Sequence, residues 1–75
     1  MNETLNALNI NRNDVLTFTT LGDAQRASVY TVTRNGQLVR RSKFIIMGDS
    51  DSIRPFWVVD AKAAQKLMDA GYERA

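Results

Sequence analysis

Along the chain, apolar and polar positions alternate in changing rhythms. In residues 1–14, Leu5, Leu8 and Ile10 stand at loosely helical spacing, and Asn2 or Thr4 can cap a first turn. Asn2, Asn6, Asn9, Asn11 and Asn13 interrupt that stretch, and asparagine competes with a helix for its own backbone. A short helical turn or an arm is expected there. Val15 to Thr20 is β-branched and aromatic and predicts a strand with Leu16 and Phe18 on one face. Leu21-Gly22-Asp23-Ala24 is expected to turn the chain.

Ala27 to Arg34 predicts the next strand and leads into Asn35-Gly36. This pair is the strongest short signal for a type I′ hairpin, because both of its positions need positive φ. Gln37 to Met47 is expected to return as one long strand. Gly48 to Ser52 has loop composition, and Phe56-Trp57-Val58-Val59 after Pro55 suits a buried strand. Asp60 is placed to cap a helix in which Ala64, Leu67 and Met68 share a face opposite Lys62, Gln65, Lys66 and Asp69. Gly71 fits the position that ends such a helix, with Tyr72 folding back and Glu73-Arg74-Ala75 as a tail. The expected fold is therefore α+β in one domain. A small antiparallel sheet of about four strands carries the C-terminal helix on one face, with a short N-terminal helical turn or arm beside it.

Both pairs of the Phe56–Val59 run are apolar, so both faces of that strand need cover. Trp57 can anchor an interface, but core is the favoured role for one pair. The N-terminal segment or a second copy of the chain is the expected cover for the other. A domain of 75 residues buries only about 60% of its unfolded surface, so dimerisation or ordering on a partner would add stability.

Composition removes most chemistry. The chain has no cysteine and no histidine, which excludes disulfides, thiolate nucleophiles, zinc fingers and the commonest general base. No apolar run approaches the ~20 residues that cross a bilayer, and the N-terminus lacks the pattern of a signal peptide, so a cytoplasmic protein with no membrane partner is expected. Asp49 and Asp51 could hold Mg²⁺ or Ca²⁺, but an ordinary polar turn is the favoured reading of Gly48 to Ser52. Ser50 and Ser52 have no histidine base, and the glycines are isolated, so no phosphate-cradling loop is present. No cofactor and no catalytic residue is expected; a metal-dependent enzyme is the remote alternative.

Charge changes the picture most. No acidic residue lies between Asp23 and Asp49, whereas Arg26, Arg34, Arg40, Arg41 and Lys43 do. The rest of the chain sets the remaining five basic residues against all eight acidic ones. A positive hairpin on a mildly acidic body follows. The two-residue turn places Arg34 opposite Gln37, Val32 opposite Val39, Tyr30 opposite Arg41 and Ser28 opposite Lys43 on one face. Thr33 with Leu38, Thr31 with Arg40, Val29 with Ser42 and Ala27 with Phe44 share the other, where Ala27, Val29, Phe44 and Ile46 look like core. Tyr30, Arg34, Arg40, Arg41 and Lys43 are the candidate contact residues. Nucleic acid is the first choice of partner, since the cations can neutralise phosphates and Tyr30 can stack. An acidic protein surface is the alternative, and a solvated basic face the bland one.

Overall fold

A computed structural model describes residues 2–49 and 53–75. It is an α+β fold built on two antiparallel sheets. The elements run α1 (Asn2–Ala7), a 3₁₀ turn (Arg12–Asp14), β1 (Leu16–Phe18), α2 (Leu21–Ser28), β2 (Val29–Arg34), β3 (Gln37–Ser42), β4 (Phe44–Met47), β5 (Phe56–Val59), α3 (Ala61–Asp69) and β6 (Glu73–Arg74). The first sheet has the order β1-β5-β4-β6, and the second is the β2–β3 hairpin alone.

The asparagines of the N-terminal segment serve as terminators. Asn9 takes the left-handed conformation at φ 56°, and its N–H reaches Asn6 O at 3.1 Å while Ile10 N reaches Leu5 O at 2.8 Å. That is the double bond of a Schellman cap, with asparagine where glycine is usual. Asn11 then caps the 3₁₀ turn by accepting from Asn13 N. The segment is thus held, and Leu5, Ile10 and Val15 enter the core.

Register sorts the sheet into two faces. Phe44 and Ile46 lie opposite Val59 and Trp57, so these four face the same way. On that side they meet Ala63, Ala64 and Leu67 of α3 together with Leu5 and Ile10. Helix α3 starts on Asp60, whose carboxylate accepts from Ala63 N at 2.8 Å, and ends as expected on Gly71, with Tyr72 N returning to Leu67 O at 3.0 Å. The Tyr72 ring then lies 5.5 Å from Trp57. Its hydroxyl donates to Asp49 Oδ1 at 2.8 Å and accepts from Thr4 Oγ1 at 3.2 Å, joining α1, the loop after β4 and the C-terminal segment.

Several expectations need correction. Leu21–Ala24 is no turn; it opens α2, whose N-cap Thr20 accepts from Asp23 N. This helix covers the second face of the sheet, with Ala24 and Ser28 buried against the strands and Val58 fully enclosed. The cover for the second apolar pair of β5 is therefore α2, neither the N-terminal segment nor a second copy. The long strand Gln37–Met47 is broken at Lys43, and its halves belong to different sheets. Ala27 lies in α2 and Phe44 pairs with Val59, so the expected pair of these two does not form. The tail Glu73–Arg74 is an edge strand on β4, with the Arg74 guanidinium 4.8 Å above the Phe44 ring.

Candidate nucleic-acid interface

The β2–β3 hairpin leaves the body as an arm. Its two strands pack chiefly on each other, and every residue of β2 and all of β3 except half-buried Val39 are exposed. The arm draws the molecule out to 42 × 25 × 19 Å. Asn35 and Gly36 form its tip at φ 53° and 77°, the two positive values that a type I′ turn demands. The root is pinned by α2. Lys43 N donates to Ser28 O at 2.7 Å, and Ser28 Oγ, buried, donates to Gln25 O at 2.8 Å. Because α2 runs straight into β2, the helix sets where the arm points.

The observed register is the expected one throughout the ladder: Arg34 with Gln37, Thr33 with Leu38, Val32 with Val39, Thr31 with Arg40, Tyr30 with Arg41 and Val29 with Ser42. Tyr30, Arg34 and Arg41 share one face. Arg40 stands on the other. Lys43 does not belong to the free ribbon; it is half-buried at the junction of β3 and β4. Val29 was expected in the core, yet it is exposed, as are Tyr30 and Val32, and Leu38 is 77% exposed. A strand pair that left one face on the sheet would have buried these side chains, and this one leaves none of β2 buried.

Electrostatically the arm is uncompensated. Among the described residues, Arg34, Arg40, Arg41 and Lys43 form no ion pair, whereas Arg26 on α2 pairs with Asp23. The described acidic residues are on the body, and some are engaged there: Asp60 as a helix cap and Asp49 with Tyr72. A shallow cleft between Asn9–Asp14 and the start of α3 mixes Asp14 and Asp60 with Lys62 and Lys66, and Lys66 Nζ donates to Asn9 O at 3.3 Å. Its charges are of both signs, so it has no field of one sign to offer a ligand.

No group of three acidic, histidine or cysteine side chains is placed to hold a metal ion among the described residues. Ser50, Asp51 and Ser52, part of the candidate metal loop, lie outside them. No helix among the described residues is long and apolar enough to cross a membrane. Sequence reading missed α2 as the positioning element, although Thr20-x-x-Asp23 carries the spacing of a helix N-terminus. Neither protein-family models, curated proteins nor solved structures yield a match to this chain.

Proposed function

We propose that this protein is a non-catalytic binding module that engages nucleic acid through its β2–β3 arm. The observation that carries this reading is the set of unpaired cations Arg34, Arg40 and Arg41 on a ribbon exposed on both faces. A side chain that only solubilised the surface would need no ribbon standing clear of the body. Guanidinium groups match phosphate geometry in pairs of hydrogen bonds, and each neutralised phosphate releases counterions. The cysteine-free composition supports a reducing compartment such as the cytoplasm.

Fluorescence anisotropy with labelled oligonucleotides tests it. If Arg40 and Lys43 alone meet B-form phosphates, log K falls with log salt at a slope of about −1.8, or about 12-fold between 50 and 200 mM; if Arg34 and Arg41 meet phosphates too, the slope is about −3.6. Arg40→Ala/Arg41→Ala then makes the slope shallower by about 0.9 to 1.8 while far-UV circular dichroism stays unchanged. Absence of binding at 50 mM salt removes the reading.

A second reading rests on the exposed apolar side chains of the arm, Val29, Tyr30, Val32 and Leu38. These suit an acidic protein partner that buries them. In that case Tyr30→Ala or Leu38→Ala abolishes binding, and salt has a weaker effect.

A further inference from the structure

We infer that the arm's ligand is B-form duplex DNA, and that the face bearing Tyr30, Arg34, Gln37 and Arg41 enters the major groove. This inference rests on the nucleic-acid reading above and narrows it.

Aromatic placement argues against single strands. Proteins that hold unpaired bases stack successive ones on several aromatic side chains lining a groove. The arm has one aromatic residue, Tyr30; Trp57 is buried, and Phe18, Phe44, Phe56 and Tyr72 are half-buried on the body. No row of rings is left for a run of bases.

Shape argues against A-form RNA. The major groove of an RNA helix is deep and narrow, and its shallow groove is read by broad surfaces. The arm is the opposite of broad: two strands, both faces open, no third strand beside them. A two-stranded ribbon fits the B-form major groove, about 12 Å wide.

The two faces differ in what they can read. On the Tyr30 face, Arg34 and Gln37 form the row at the tip, Tyr30 and Arg41 the row at the root, and Val32 with Val39 lies between. Arginine donates two hydrogen bonds to guanine O6 and N7, glutamine pairs with adenine N6 and N7, and valine can meet the thymine methyl. The opposite face offers Arg40 with the short hydroxyls of Thr31, Thr33 and Ser42, beside Leu38. The tip and root rows are four residues apart along β2, since Tyr30 and Arg34 belong to them. At about 3.4 Å per residue this is about 14 Å. The long donors at the two ends of the face are therefore far enough apart to reach different base pairs along the groove.

Anisotropy titrations would compare a DNA duplex, its single strand and an RNA duplex of the same sequence at 100 mM salt. Dimethyl sulfate footprinting of the DNA would be run alongside, since it reports guanine N7 in the major groove and adenine N3 in the minor groove. The expected result is affinity for the DNA duplex at least about tenfold above either competitor, with N7 protected and N3 open. Arg34→Ala/Arg41→Ala, still folded by circular dichroism, should lose N7 protection. Arg40→Ala should keep N7 protection and make the salt slope shallower by about 0.9. Equal or tighter binding of the single strand or the RNA duplex overturns the inference and leaves the nucleic-acid reading standing. Protection of N3 without N7 overturns the groove assignment. Failure of all three ligands to bind at 50 mM salt overturns both.

Discussion

Gly48 lies directly against the indole of Trp57, and replacing it with alanine is a severe test of the core. A Cβ at that position would stand 2.1 Å from Trp57 Cε2 and 2.4 Å from Cζ2 and Nε1. Carbon atoms in contact prefer about 3.5–4.0 Å, so more than an ångström must be recovered. The indole cannot swing away. It is fully buried, with the Tyr72 ring 5.5 Å off and Ile46, Val59 and Leu67 in the same cluster. The backbone of Gly48 is held too, its N–H bonded to Pro55 O at 2.6 Å. Overpacking in a filled core costs about 1–3 kcal/mol, and this contact belongs at the upper end. A domain of this length holds about 4–11 kcal/mol in all. Gly48→Ala should therefore remove a large share of the stability and lower Tm by about 12–24 °C. Urea unfolding followed by the fluorescence of the one tryptophan reads this out. Gly22→Ala is the control. Its Cβ would meet only Arg26 Nη1 at 3.9 Å, and it sits in the first turn of α2, so it should be neutral or stabilising by up to about 1 kcal/mol. If Gly48→Ala costs under about 0.5 kcal/mol with unchanged emission, the close packing of backbone on indole is refuted.

Further outcomes follow from the same contacts. Tyr72 is held above its ordinary pKa: the bond from Thr4 lowers it, but burial and the bond and negative charge of Asp49 together outweigh that. A raised folded value means that this stability is fully present below the unfolded pKa of about 10 and is lost as pH climbs through the folded one. Wild type should lose unfolding free energy above pH ~10 by more than Tyr72→Phe does, in urea melts at matched pH. Thr20→Ala removes the cap of α2 and should cost about 1 kcal/mol in the same assay, without abolishing the hairpin signals in NMR spectra. Asp60→Ala should cost a similar amount through α3.

The hairpin was legible residue by residue, because Asn35-Gly36 sets a register that needs no distant contact. Helix α3 was legible for the same kind of reason: Asp60, the apolar stripe and Gly71 are local signals. What escaped were outcomes of competition over longer range. Gly22 in the first turn lowers helix propensity, and the cap at Thr20 with burial of Ala24 and Ser28 wins over it. The break at Lys43 has no local signal: its N–H still bonds to Ser28 O in the hairpin register, but from Phe44 the chain leaves to pair with β5, a partner set by the core. At the site, the charges of the arm were visible but its departure from the body was not. Val29, Tyr30 and Val32 have the composition of a half-buried strand, and alternation alone does not say whether a ribbon lies on a sheet or leaves it. The Tyr72–Asp49–Thr4 contact joins positions from both ends of the chain and has no local signature.

A pair of strands without a third, or a sheet beneath it, is only marginally stable in water. The arm therefore opens far more often than the sheet that carries α3, and its backbone should exchange amide hydrogen with solvent orders of magnitude faster. Arg34, Arg40 and Arg41 on it are also trypsin sites, so brief digestion should cut the arm while the core persists. Any ligand gripping the ribbon must first supply the free energy to hold it closed. Binding will consequently register as slowed exchange and resistance to cleavage within Val29–Ser42, whatever the ligand is.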